Sequence, residues 1–458
     1  MSQNREQWGS KLGFILAASG SAVGIGNIWK YPSMAGQNGG GAFTLVYLAC
    51  IFVVGLSIVI AEFVIGRKTQ LSPVGAFEKL APGTNWKWVG YLGVSSAFVI
   101  LSFYGVVGGW ILKYIIDSFS GGFDALAGNP EVAGTMFNGF ITSAWNPVIY
   151  QVLFMMLCIG VIINGVKGGI EKWSRIMMPM IIVLLGVLAI RGMTLPGGIE
   201  GLSFLFNPRF EDLTASAIVL ALGHSFFTVS LGMGTMITYG SYIDKKQNLL
   251  NSALWVIFLD TAIAMLAGVA IFTTVFALGA NPAEGPGLIF IVSPTVFAQM
   301  AGGAIWSTMF FILLFMAALT SAISILEVVT AYFIDQKGWS RKKATIQFGA
   351  VITVVGAFCS FSLGGGINIT EFLGMPFMDF MDYLSSKYML PIGGMLTAIF
   401  VLKKWGISNY LAELKNGMGE KNFPPQLVKA ILTIAAAIVA FILFNEVYAE
   451  IFGKALIG

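Results

Sequence analysis

Long apolar runs alternate with short polar segments along the whole chain. The runs cover residues 12–35, 42–65 (interrupted by Glu62), 88–116, 147–166, 176–190, 213–239, 252–278, 304–334, 344–363, 372–402 and 427–449. Most reach the roughly 20 residues that cross a hydrocarbon core, so about eleven transmembrane helices are expected. The run 176–190 is short and needs residues before it to cross. A β-barrel is excluded, because its strands would alternate polar and apolar positions over about ten residues.

Composition strengthens this all-α membrane reading. Hydrophobic residues make up 57% of the chain and charged ones 10%, against roughly 25% charged in soluble domains, and the mean hydropathy is +0.82. The first eleven residues are polar and no small-residue cleavage site follows the first run, so no cleavable signal peptide is expected. No polar stretch is long enough to fold separately, the longest loop being 118–146, which predicts a single transmembrane domain. Cys50, Cys158 and Cys359 are scattered over three runs, which argues against a disulfide framework or a metal cluster.

Charge then sets orientation. With the N-terminus inside, all but six of the 26 Lys and Arg fall in cytoplasmic segments, the six being Lys30, Lys113, Arg191, Arg209, Lys387 and Lys454. The positive-inside rule therefore predicts a plasma (inner) membrane protein with a cytoplasmic N-terminus and an outer C-terminus. The net charge of +4 reflects this asymmetry and calls for no nucleic-acid partner.

Two runs are poorly suited to continuous helix. Residues 18–27 place Gly20, Gly24 and Gly26 beside Ser19, Ser21 and Asn27 near mid-membrane depth. Each glycine costs a helix about 1 kcal/mol relative to alanine. Close helix packing through small residues is one reading; a broken helix is the other, favoured by Asn27, whose buried amide needs partners. Residues 224–234 repeat the pattern, with His224, Ser225, Thr228, Ser230, Gly232 and Gly234. The two runs lie five helices apart, which predicts two five-helix halves, 1–195 and 205–405, each opening on a broken helix, and an extra helix at 425–452. Backbone freed in lipid must line a cavity. Half-helix N-termini suit a carboxylate and freed carbonyls a cation.

Thr320 and Ser321 offer hydroxyl ligands for an alkali cation, or bond back to their own helix. Glu62 and Glu327 sit near predicted cytoplasmic ends and suit polar networks. Asp260 is the sharper signal: it lies mid-run with no basic residue within a turn or two, so it is either protonated or faces a cation.

Gly24-Ile25-Gly26-Asn27-Ile28-Trp29-Lys30-Tyr31-Pro32, then Asn38-Gly39-Gly40-Gly41-Ala42-Phe43, strongly resemble the neurotransmitter:sodium symporter family. Residues 226–232 with Ser241 and Tyr242 resemble its sixth helix, and Leu319-Thr320-Ser321 its eighth. The resemblance runs from Arg5 to about the eleventh span. It implies the leucine-transporter-like fold, a 5+5 inverted repeat with broken helices 1 and 6, and sodium-coupled amino-acid or amine import by alternating access. It implies two sodium ions and no organic cofactor. Gly20, Val23, Ala317, Thr320 and Ser321 would hold one ion. Ala22, Asn27, Thr228 and Asp260 would hold the other, together with the substrate carboxylate. The substrate would lie among Ser21, Ala22, Ile25, Gly26, Ile100, Tyr104, Phe227, Thr228, Ser230, Met233, Ser321 and Ile325, with Tyr104 bonding its carboxylate. Arg5, Trp8, Ser241, Tyr242 and Asp335 would form the cytoplasmic gate, and Lys30 with Asp382 the outer one, Asp379 being the alternative acid.

Several positions depart from the family pattern. Asp260 stands where asparagine is usual, and Ala264 where chloride-dependent members carry serine, so Asp260 is read as the fixed negative charge and uptake as chloride-independent. His224 replaces a usual glutamine; it is either a hydrogen-bonded core residue or a proton-handling group. Lys30 replaces arginine and cannot make the planar two-point contact. The chain ends about one span short of most relatives. Ile100, Phe227, Met233 and Ile325, with the flexible Gly232-Met233-Gly234, point to hydrophobic L-amino acids from leucine to tryptophan. Bacterial relatives with this motif resemble broad hydrophobic amino-acid transporters. Ser21, where monoamine members carry aspartate, favours a zwitterion. Gly169 and Pro179 bracket nine residues of helix 5, a spacing that the resemblance links to local unwinding; an ordinary proline kink is the alternative. A channel needs a continuous pore, and one histidine with scattered cysteines supplies no enzyme constellation. The remaining alternative is a sodium-coupled symporter of another family with the same fold.

Overall fold

The computed structural model describes residues 5–279, 287–364, 372–419, 423–454 and 456. Lys421, counted above among the cytoplasmic basic residues, lies outside them. Among the described residues the regular structure is helical, with isolated β-type pairs only at Gly40↔Pro208 and Phe372↔Met375.

Among the described residues, nine helices are long and apolar enough to span a bilayer: Gly41–Thr69, Lys87–Phe119, Asn146–Ile163, Val166–Met193, Leu249–Ala277, Gly303–Lys337, Arg341–Phe361, Phe377–Trp405 and Pro425–Phe452. Lys11–Ala22 and Gly26–Gln37, bent by 52°, together make a tenth. The eleventh is divided into Ala215–Thr228 and Thr235–Gly240. Numbered in chain order, these are spans 1 to 11, and the divided ones are spans 1 and 6. The short run at 176–190 does recruit its predecessors, as span 5 begins at Val166.

Local chemistry explains where the divided spans start and stop. Ser10 caps span 1 by accepting the Gly13 N–H at 2.9 Å, and Val23 ends its first half in an extended conformation (φ −73°, ψ 95°). Thr214 caps span 6 through the Ala217 N–H at 3.1 Å. The break in span 6 falls later than residues 224–234 suggest, because helix persists through Thr228. The Ser225 hydroxyl turns back to the Leu222 carbonyl at 2.7 Å, which a helix tolerates. The chain departs only where Ser230 (φ 53°), Gly232 (φ 78°) and Gly234 (φ 77°) become left-handed.

Span 5 begins with a widened π-type turn over Val166–Glu171 and continues as α-helix over Lys172–Met193. The residues between Gly169 and Pro179 are therefore wound here. The corner into this span is Gly165, at φ 81°.

Burial separates scaffold from rim. In the most apolar stretch of span 8, 83% is buried, against 28% in span 11, so the last span lies at the periphery facing lipid. Spans 3 and 8 flank the divided spans and present Ile100 and Tyr104 on one side, Ser321 and Ile325 on the other. Short helices the hydropathy pattern did not indicate decorate the connections. One of them, Pro130–Ile141, stacks Phe137 on Phe290 at 5.1 Å.

Candidate functional site

The two breaks face each other and enclose a small void of about 20 Å³, room for one water molecule. Its walls are Ser21, Ala22, Gly24, Gly26, Ile100, Tyr104, Phe227, Thr228, Ser230, Met233, Ser321 and Ile325. These are the expected substrate residues with one exchange: Gly24 lines the void, whereas Ile25 lies on the far side of the break, lining a larger vestibule. The exchange follows from the extended residue Val23, which rotates the next two residues relative to a helical register.

Freed backbone groups at the breaks find partners inside the protein. The Gly24 N–H donates to Asn27 Oδ1 at 3.2 Å and the Ile25 N–H to Tyr104 Oη at 3.2 Å. The Ser230 hydroxyl donates to the Ser21 carbonyl at 2.9 Å, tying one break to the other. Ser21 and Ser324 share a hydroxyl hydrogen bond of 2.7 Å. Glu62, buried in span 2, accepts the Gly232 N–H at 2.9 Å and so caps the break in span 6. Sequence reasoning missed Gly24, Ser324 and this role of Glu62. The legible signal for Glu62 was the one used for Asp260, an acid inside an apolar run.

Two oxygen-rich clusters flank the void. In the first, the Ser321 hydroxyl lies 3.0 Å from the Ser21 carbonyl and 3.4 Å from those of Gly20 and Val23. Carbonyls at the end of a half-helix are the negative pole of its dipole, which favours a cation. Thr320 instead bonds back to Met316 and Ala317, both at 3.0 Å, so Ala317 O and Thr320 Oγ1 sit together beside Ser321. The second cluster centres on Asp260, which is fully buried. Asn27 Nδ2 donates to Asp260 Oδ1 at 2.7 Å and to its carbonyl at 3.1 Å, and Thr228 donates to Oδ1 at 3.2 Å. Asp260 Oδ2 has no partner among the described residues. Ala264 follows one turn later, also buried. His224 is buried with neither ring nitrogen bonded among the described residues; its ring lies 5.3 Å from that of Tyr47. Of the two alternatives read from sequence, a hydrogen-bonded core residue or a proton-handling group, the packing shows a core position without the hydrogen bond among the described residues.

The expected gate residues assemble at opposite ends. At the basic end, Arg5 pairs with Asp335, donates to Ser241 Oγ at 2.7 Å and lies 4.6 Å over the Tyr242 ring. The Trp8 indole donates to the Tyr239 carbonyl at 3.0 Å. Tyr242 donates to Glu327 at 2.6 Å, and Arg341 pairs with Glu327 at 2.6 Å, so Glu327 does sit in a polar network. This end is closed. At the other end lies a vestibule of about 570 Å³, within the size range of small-molecule sites. Lys30 pairs there with Asp382 at 3.2 Å, rather than with Asp379, and covers the Phe227 ring at 4.1 Å. Phe227, with Gly26 and Tyr104, lines both vestibule and void and so lies between them.

Comparison with known proteins matches this arrangement. A sodium-dependent transporter of Bacillus subtilis, YhdH, is 40% identical over 91% of both chains. A sodium-dependent transporter of Haemophilus influenzae is 34% identical over 87% of this chain and 89% of its own. The crystal structure of MhsT in complex with L-phenylalanine superposes with a TM-score of 0.88, at 46% identity, over 96% of this chain and 99% of that one. The model of the sodium:neurotransmitter symporter family matches residues 5–126 and 141–453, and the chain belongs to that family.

Proposed function

We propose that this protein imports hydrophobic L-amino acids together with sodium by alternating access, without needing chloride. The observation that carries the reading is the void between the two breaks. One wall is polar backbone with Tyr104, Ser21 and Ser321; the other is Ile100, Phe227, Met233 and Ile325. A zwitterion would place its carboxylate toward Tyr104 and the second oxygen cluster, and its side chain against the apolar wall. L-phenylalanine bound to MhsT, a similar protein, supports that substrate class.

Gly20, Val23, Ala317, Thr320 and Ser321 would hold one sodium, through carbonyls and hydroxyls. Ala22, Asn27, Thr228 and Asp260 would hold the other, with Asp260 supplying the charge. The vestibule would be the outer entrance and the basic end the cytoplasmic one. Because the void holds only one water's volume, Phe227 must swing and the halves 1–195 and 205–405 must separate for the substrate to enter. Each sodium crossing 100 mV gains about 2.3 kcal/mol, so two could support roughly a thousandfold accumulation.

The deciding experiment is competition of sodium-dependent leucine uptake by each of the twenty amino acids in proteoliposomes. Leucine, isoleucine, methionine, phenylalanine and tryptophan should compete strongly, and glycine and charged residues weakly. Strong competition by glycine alone, or uptake that ignores sodium, would overturn the proposal. In the same vesicles, exchange of chloride for gluconate should leave uptake unchanged; a large loss would remove the charge role given to Asp260.

A further inference from the structure

Span 10 carries Asp382, the acid that pairs with Lys30, on a segment set off from the rest of the helix. The part that follows, Leu390–Ile399, is locked backbone to backbone against the break in span 6. A Cβ on Gly232 would fall 2.1 Å from the Leu390 carbonyl oxygen, and one on Gly393 2.4 Å from the Gly232 carbonyl oxygen. The part that precedes, Phe377–Tyr383, is ordinary α-helix and holds Asp382. Between them lies a widened π-type turn, Leu384–Met389, closed by the Leu390 N–H on the Ser385 carbonyl. Pro391 accounts for the widening: it has no N–H to offer the Lys387 carbonyl, and its ring crowds that group. Sharp bends in helices concentrate at such turns, so the segment with Asp382 sits on a hinge.

Span 11 straps this hinge from the side. Lys387 pairs with Glu446 at 2.7 Å, and the Tyr388 hydroxyl donates to Glu450. The two acids are four residues apart and share one face of span 11. Lys387 also lies 5.1 Å over the Tyr383 ring, on the hinged segment itself. The line continues to the vestibule. Ser386, next to Lys387, donates to Asp382 Oδ1 at 2.8 Å, the oxygen that Lys30 takes at 3.2 Å. Glu446, Lys387, Ser386, Asp382 and Lys30 therefore follow one another without a gap.

We propose that span 11, none of whose residues lines the void or the vestibule, positions the Lys30–Asp382 latch by strapping the hinge of span 10 through Lys387 with Glu446 and Tyr388 with Glu450. The inference rests on that latch being the outer gate, as proposed above. With the strap in place, Phe377–Tyr383 cannot swing about the widened turn, and Asp382 stays within reach of Lys30. With the strap gone, the segment pivots, the pair separates and Lys30 leaves the Phe227 ring. Each strap contact is partly exposed and weak alone, but two contacts one helical turn apart resist rotation as one would not. Lys387, Tyr388, Glu446 and Glu450 are positioning residues and touch no transported species.

Thiol labelling of the full chain in nanodiscs, without substrate, tests the strap. Ile100→Cys puts a reporter thiol on the wall of the void, and peptide mass spectrometry reads its reaction with a water-soluble thiosulfonate apart from the native cysteines. In that background, Glu446→Gln with Tyr388→Phe should label about threefold to tenfold faster, the effect of losing two partly exposed contacts. Asp382→Asn, which breaks the latch itself, should label at least as fast. Lys387→Glu alone should also speed labelling, and adding Glu446→Lys, which reverses the pair, should restore the background rate. A loss of general stability would not be rescued in this way. Tyr388→Phe alone, the mildest change, should label about twofold to threefold faster and serves if a charge variant fails to fold. Strap variants that label at the background rate while Asp382→Asn labels faster would overturn the proposal, as would a reversed pair that stays as fast as Lys387→Glu alone. Labelling needs no transport, so absent leucine uptake beside these rates would sink the transport proposal and leave the strap standing.

Discussion

Asp260→Ala is expected to lower sodium-dependent leucine uptake by about a hundredfold or more, the scale of removing one partner from a buried charge pair. Asp260 is fully buried, takes only neutral donors from Asn27 and Thr228, and leaves Oδ2 without a partner among the described residues. An ionised carboxylate in such a place needs a counter-charge, and a sodium ion between Asn27, Thr228 and Asp260 would provide it. Asp260→Asn separates charge from packing. It keeps the shape and a polar contact to Asn27, so uptake should survive at saturating sodium while half-saturation moves about tenfold higher. Initial rates in proteoliposomes over a sodium series read both quantities. Sodium curves for Asp260→Ala that overlay the wild type would remove Asp260 from the ion site.

Gly24→Ala should weaken leucine binding by roughly tenfold to a hundredfold, the range that overpacking a tight site produces. The added Cβ would stand 2.6 Å from Ser321 Oγ and 3.0 Å from Tyr104 Oη, between the two side chains that frame the void. Neither can retreat freely, because Ser321 is hydrogen-bonded to span 1 and Tyr104 receives the Ile25 N–H. Gly223→Ala is the control: nothing lies within 4 Å of its added Cβ, so binding should stay as in the wild type, while the melting temperature should hold or rise slightly because alanine suits the helix Ala215–Thr228 better than glycine. Sodium-dependent binding of radiolabelled leucine to purified protein makes the comparison. A Gly24→Ala protein that binds leucine as tightly as the wild type would show that the void is not where the substrate sits.

Much of this architecture was readable before any coordinates, for identifiable reasons. Lipid allows few backbone arrangements, so run lengths alone marked out the spans and glycines beside hydroxyls marked both breaks. The exact rotation at a break was not readable, since it depends on one residue. Val23 adopts an extended conformation, and so Gly24 rather than Ile25 faces the void. The later start of the span 6 break has a similar origin, because Ser225 and Thr228 fit a helix as well as a loop and only positive φ at Ser230, Gly232 and Gly234 settles the matter. The helix at Pro130–Ile141 escaped notice because polar and small residues dilute its apolar face. Span 5 illustrates another limit: the spacing of Gly169 and Pro179 does not tell that the first turn of this helix is hydrogen-bonded to Glu6 and Gly9, far away in the chain.

If Lys30–Asp382 and Arg5–Asp335 act as the two gates of the proposed transport cycle, those gates are made of different materials. The pair at the vestibule, Lys30 with Asp382, is 26% and 40% exposed, whereas Arg5 and Asp335 at the basic end are 14% and 7% exposed. At physiological salt, charges are screened over about 8 Å where solvent reaches them, and much less where it does not. Dissolved ions can therefore loosen the first latch and hardly touch the second. A cell moving between dilute and salty surroundings would tune how readily the vestibule shuts over its cargo, while the opposite door would keep the same strength throughout.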